Sequence, residues 1–166
     1  SDVGGDTALE LVRTEPRILG IKDSSGRLDV LARLAADGPP HARLLVGNDN
    51  ALVEACRRGL CHGVISGVAG VLPELISAIW DAGQRRDLAA METLGRILAE
   101  AIEQIDAWPA PVGLQLLAQM RGLCRCLPAV PLSPRRRQQA EQMRLWFEPW
   151  WQRASETFAA ATRPGA

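Results

Sequence analysis

Arg17-Ile18-Leu19-Gly20-Ile21-Lys22-Asp23-Ser24-Ser25-Gly26 is the stretch on which the fold of this chain turns. Its first part, Arg17 to Lys22, is a short apolar run that reads as a strand despite Gly20. Its second part is a cluster of turn formers. Between them stands Lys22, the only lysine among nineteen basic residues; the other eighteen are arginine. Arginine cannot take over a lysine's nucleophilic role, because its guanidinium stays protonated. A lone lysine closing an apolar strand is therefore a candidate for covalent chemistry.

Outward from this stretch the first half alternates strand and helix. Thr7 to Arg13 reads as a short helix upstream. Downstream, Leu28, Leu31, Leu34 and Ala35 share one face of a helix over Leu28 to Ala36, which Gly38-Pro39-Pro40 ends. Ala42 to Val46 is a second apolar strand, followed by Gly47-Asn48-Asp49, a helix over Asn50 to Arg58 and a stop at Gly59. Gly63 to Ser66 is a third strand, followed by Gly67-Val68-Ala69-Gly70 and a helix opening at Pro73. Strands that are apolar on both faces and alternate with helices predict a parallel sheet covered by helices. In such folds the loops at the strand C-terminal ends bind ligands.

From residue 84 the pattern is helical only. Asp87 to Trp108 is one long amphipathic helix, Pro109 and Pro111 break it, and Val112 to Leu123 is the next. Pro128, Pro131 and Pro134 mark an extended connection before a last helix from Arg135 to about Ala161, with an expected kink at Pro149. Three strands cannot close a barrel, which needs roughly 250 residues. The expected domains are thus residues 1–83, part of a larger α/β unit, and residues 84–166, a helical extension.

Composition narrows the function classes. The 166 residues are 47% hydrophobic and 23% charged, as in an ordinary globular protein, and the formal net charge is zero. No global field draws the chain to nucleic acid or an anionic membrane, and no apolar run reaches the ~20 residues of a membrane helix. The first residues lack the pattern of a signal peptide, so a cytoplasmic location is expected. Cys56, Cys61, Cys124 and Cys126 have no standard zinc spacing, and His41 and His62 complete no ligand set; four reduced thiols and no metal are expected.

Ile18-Leu19-Gly20-Ile21-Lys22-Asp23-Ser24-Ser25-Gly26 closely resembles the Schiff-base lysine motif of the dihydrodipicolinate synthase / N-acetylneuraminate lyase family, where it forms the sixth strand of a (β/α)8 TIM barrel. Leu44-Leu45-Val46-Gly47-Asn48-Asp49 resembles the seventh strand and its loop. Gly63-Val64-Ile65-Ser66-Gly67-Val68-Ala69-Gly70-Val71-Leu72-Pro73-Glu74 resembles the eighth strand and the start of its helix. The later helices are similar to that family's C-terminal helical domain. The resemblance implies an α/β fold: the last three βα units of the barrel followed by a C-terminal helical domain. It implies a class I lyase or aldolase acting on pyruvate or another 2-oxo acid, with Lys22 as the nucleophile. It further implies that the Gly47 backbone approaches the substrate and that the Ile65 carbonyl lies near the lysine. No metal and no organic cofactor are implied, and a homo-oligomer, commonly a tetramer, is.

The residue types suit that chemistry. A neutral amine attacks a 2-oxo acid's ketone, and the protonated imine then stabilises a carbanion as its enamine. Desolvation is what frees a lysine amine for attack.

The chain also departs from the family pattern. Gly70 stands where the family usually carries Asn, Val130 rather than Arg precedes Pro131-Leu132, and there is no tyrosine to act as the family's proton relay. A non-catalytic truncated barrel segment, serving as an interaction or ligand-binding module, is the alternative reading. Arg135-Arg136-Arg137 reads as a solvated face or interface, and Trp146, Phe147, Trp150 and Trp151 as a packing cluster. His62 reads as structural.

Overall fold

The computed structural model describes residues 3–125 and 130–161. Cys126 and Pro128 therefore lie outside the described residues. The elements run α1 (Gly5–Thr14), β1 (Gly20–Asp23), α2 (Asp29–Asp37), β2 (Arg43–Val46), α3 (Leu52–Arg57), β3 (Gly63–Val64), α4 (Gly67–Val71), α5 (Pro73–Arg85), α6 (Leu88–Asp106), α7 (Val112–Met120) and α8 (Pro134–Ala161). A 3-10 turn, Asp49–Ala51, precedes α3.

The three strands form one parallel sheet in the order β1-β2-β3. Ile21 pairs with Leu44, Lys22 with Leu45, Asp23 with Val46, Leu45 with Gly63 and Val46 with Val64. Because side chains alternate along a strand, this register gives the sheet two chemically distinct faces. Leu44 and Val46 are 2% and 1% exposed and, with Ile21 and Val64, turn to the helices. The face carrying Lys22, Arg43 and Ile65 is open.

One apolar core extends from Ala8 of α1 to Phe158 of α8. Leu31, Leu52, Leu75, Ile79, Leu94, Leu117 and Trp150 are among its fully buried side chains. Each such burial contributes about 1.5–3 kcal/mol relative to exposure. The α5–α6 hairpin that organises the core is specified locally. Pro73 opens α5, Arg86 closes it with a left-handed φ of 56°, and Asp87 then caps α6 by accepting from the Ala90 N–H at 3.0 Å.

Several sequence expectations need correction. The expected strand from Arg17 begins only at Gly20, and the expected strand to Ser66 ends at Val64. The helix expected over Asn50 to Arg58 is split into the 3-10 turn and α3, because Asn48 accepts from the Asn50 N–H at 3.1 Å and tightens the start. The Gly67–Gly70 loop is a helix instead: the Ser66 hydroxyl accepts from the Ala69 N–H at 2.9 Å and supplies the cap that two glycines would otherwise lack. Cys56 and Cys61 are free thiols, whereas Cys124 is disulfide-bonded, so the reduced-thiol expectation fails there.

Candidate active site

Lys22 is the penultimate residue of β1, on the open face of the sheet, in register with Leu45 of β2 and Gly63 of β3. Two residues further along, on the same face, come Gly47 and Ile65. The ladder continues past the strand ends to hold both. The Gly47 N–H donates to the Asp23 carbonyl at 2.7 Å, and the Ile65 N–H donates to the Val46 carbonyl at 2.9 Å. The three residues singled out from sequence therefore share one surface.

Gly47 has a specific steric role. A Cβ there would overlap Lys22 Cε and Ser24 Oγ and stand 3.1 Å from the Asp23 carbonyl oxygen. Only a residue without a side chain lets the lysine stem lie across this loop. The turn below the lysine is set by its own residues: Asp23 Oδ1 accepts from the Ser25 N–H at 2.8 Å, and Ser25 Oγ accepts from the Arg27 N–H at 3.1 Å. Gly26 completes it with φ 78°. Asp23, Ser24 and Ser25 thus build the loop that presents Lys22.

Lys22 is exposed, and Ile65 is 51% exposed. Among the described residues no hydrogen bond or ion pair engages the lysine ammonium. The Lys22 face of the three strands carries no covering layer among the described residues.

Beside Gly47 opens a cavity of about 260 Å³, bounded by Asn48, Asp49, Val68, Asp106, Trp108 and Leu114 among others. Burial pushes the Asp49 carboxyl above the ordinary carboxylate value; hydrogen bonds from the Ser66 hydroxyl and backbone N–H groups oppose this, and the Asp106 charge adds to it. Asp49 Oδ1 is buried without a hydrogen-bond partner. Sequence reasoning passed over Asp49 as part of a turn. Its signal was a carboxylate placed just after a strand's C-terminal end, where α/β folds bind ligands.

Other singled-out residues prove structural. His62 Nδ1 accepts from the Leu44 N–H at 3.1 Å, and the His62 N–H donates to the Leu44 carbonyl at 2.7 Å, which together set the entry to β3. Arg136 donates to the Ala107 carbonyl at 3.2 Å and lies over the Trp108 ring, 5.0 Å from its centroid. Arg136 therefore closes the C-terminal end of α6. Within α8, Trp146 stacks on Trp150 at 4.9 Å and Phe147 on Trp151 at 5.8 Å; Phe147 and Trp150 are buried in the core and Arg121 lies over Trp151, which packs α8 onto the rest. Among the described residues no helix is long and apolar enough to cross a membrane, and no group of three or more His, Cys, Asp or Glu side chains is arranged to hold a metal ion.

Comparison with known proteins identifies the family. Residues 2–146 match the model of the dihydrodipicolinate synthetase family, and the chain belongs to that family. It is 31% identical over 140 residues to the 4-hydroxy-tetrahydrodipicolinate synthase of Ralstonia nicotianae, covering 80% of this chain and 46% of the relative. It is 29% identical over 119 residues to that of an Exiguobacterium species, covering 72% and 40%. Among solved structures it superposes on dihydrodipicolinate synthase from Aquifex aeolicus with a TM-score of 0.76 at 19% identity, over 90% of this chain and 50% of that one. A Sulfolobus solfataricus 2-keto-3-deoxygluconate aldolase variant gives 0.76 at 18% identity, over 94% and 52%. The chain spans about half the length of the proteins it matches.

Proposed function

We propose that this chain supplies the last three βα units of a (β/α)8 barrel, residues 1–83, and a C-terminal helical domain, residues 84–166, of a Schiff-base lyase or aldolase. The substrate class is pyruvate or another 2-oxo acid, and Lys22 is the nucleophile. The observation that carries this reading is the convergence of Lys22, Gly47 and Ile65 on one open sheet face, at the C-terminal ends of parallel strands. Catalytic groups of closed barrels sit at that end.

In this reading the Lys22 amine adds to the substrate ketone, and loss of water gives the imine. Protonated, the imine withdraws electrons from the neighbouring carbon, so a C–C bond or a proton there can be broken or formed. Gly47 keeps its loop clear so that backbone and substrate approach closely, and the Ile65 carbonyl faces the reacting nitrogen. The chemistry draws on no metal and no organic cofactor. The partners proposed are a small 2-oxo acid and further copies of the chain in a cytoplasmic homo-oligomer, a tetramer by family likeness. Condensation, as the synthase names of the curated relatives suggest, and aldol cleavage are both within reach of this intermediate.

Borohydride reduction in the presence of pyruvate tests the proposal. A Schiff base becomes a stable adduct seen in the intact mass, and Lys22→Arg removes it. A protein that keeps its fold yet gains no such mass with pyruvate or other 2-oxo acids is not a lyase of this kind, and the non-catalytic reading then stands.

A further inference from the structure

The end of α3 and the entry to β3 bring two cysteines together, on the helix side of the sheet and away from Lys22. Gly59 takes a left-handed φ of 65°. The Gly59 N–H donates to the Cys56 carbonyl at 3.1 Å, and the Leu60 N–H reaches back to the Ala55 carbonyl at 2.9 Å. This helix stop folds the chain over the last turn, where only glycine adopts the required backbone without strain. Cys61 consequently lies against Cys56 with the two sulfurs 3.9 Å apart. Both are free thiols, both are half-buried, and both line a cavity of about 580 Å³ together with Arg58, Trp80 and Arg86. On the far side α5 packs close: a Cβ at Gly83 would stand 3.0 Å from Cys56 Cβ, which limits how far Cys56 can turn from its neighbour.

We propose that Cys56 and Cys61 are a dithiol–disulfide pair, oxidised reversibly by a peroxide entering from the cavity that Arg58, Trp80 and Arg86 line. The two sulfurs share a hydrogen bond in which either can donate; that sharing lowers the Cys61 thiol below its ordinary value and raises that of Cys56. In this proposal Cys61 is the attacking thiolate. Its sulfur takes one peroxide oxygen, the O–O bond breaks, and the departing oxygen leaves as water after gaining a proton. The Cys56 sulfur then attacks the Cys61 sulfenic acid, the S–O bond breaks, and the hydroxide leaves as a second water with the Cys56 proton. Two thiols lose two electrons, and one peroxide becomes two waters. The two sulfurs close from 3.9 Å to a disulfide length of about 2.05 Å. The bond would tie the end of α3 to the residues leading into β3, and so to Ile65.

The test is hydrogen peroxide treatment of the reduced full chain, followed by alkylation and peptide mapping. In the expected product the Cys56 and Cys61 peptides are linked, two hydrogens lighter than the separate pair, and return to the dithiol with dithiothreitol. With Cys56→Ser, dimedone should capture a sulfenic acid on Cys61. With Cys61→Ser, Cys56 should oxidise about ten-fold more slowly than the wild-type pair, because the attacking thiolate is gone. Because the wild-type link is read directly, the test does not depend on either variant folding. Two thiols still fully alkylated after excess peroxide, or a link from either cysteine to a different partner, would overturn the proposal.

Discussion

Lys22 Cε lies where any side chain on residue 47 would have to stand. The lysine at the end of β1 and the glycine at the end of β2 are therefore a steric pair. Across the ladder, the Gly47 N–H holds the Asp23 carbonyl at 2.7 Å and fixes the distance between the two loops.

Gly47→Ala should consequently act on the lysine before it acts on the fold. The new methyl displaces the Lys22 stem and the Ser24 hydroxyl, at a cost typical of overpacking, about 1–3 kcal/mol. Adduct formation with pyruvate should slow by about ten-fold or more, the scale of a small misplacement at a reacting group. Stopped-time borohydride quenching, alongside a urea melt, separates the two effects.

Lys22→Arg should abolish the adduct and leave stability within about 0.5 kcal/mol, as for an exposed residue without partners. Urea unfolding of the two proteins checks this. A large loss of stability would mean that Lys22 serves packing instead of chemistry.

Arg121 ties α5 and α8 together through polar contacts. Its guanidinium is paired in two-pronged fashion with Glu74 at 2.7 and 3.0 Å, reaches the Val71 carbonyl, and lies over Trp151 at 4.2 Å from the ring centroid. Its side chain is only 9% exposed. Arg121→Ala should cost about 2–3 kcal/mol, combining lost charged hydrogen bonds with the ring contact, and Arg121→Lys should recover only part. Thermal melts of the three proteins measure it.

The same pair predicts an acid sensitivity. The hydrogen bond from Arg121 holds the Glu74 carboxyl below its ordinary value of 4.5. A carboxyl lowered on folding adds stability that is complete above the unfolded value and is lost as pH falls through the folded one. Between about pH 5 and about pH 3 the wild type should thus lose more stability than Glu74→Gln. The difference should be modest and shrink with salt, because the Glu74 side chain is 48% exposed. Urea midpoints across that range, with and without added salt, supply the comparison.

Lys22 stood out in sequence through the apolar run and turn cluster around it, whereas Gly47 and Ile65 came from the family resemblance; strand alternation is what puts the three on one face. Strands alternate their faces, and each strand runs directly into its loop. What stayed hidden depends on partners remote in sequence or on a single cap. The loop Gly67-Val68-Ala69-Gly70 reads as a turn until Ser66 is seen to cap it as a helix. Asp49 acquires its raised carboxyl from burial beside a cavity whose far wall is α6 and α7. The meeting of Cys56 with Cys61 follows from the left-handed Gly59, which sequence marks only as a helix stop.

The central claim is that Lys22 forms the Schiff base, and the sequence makes it unusually easy to test. With a single lysine, the chain has one side-chain amine besides its N-terminus. Peptide mass mapping after reduction with pyruvate and borohydride should place the adduct on the peptide containing Lys22 and leave the N-terminal peptide unmodified. Label on the N-terminal amine alone, with the Lys22 peptide unchanged in a folded protein, would contradict the account.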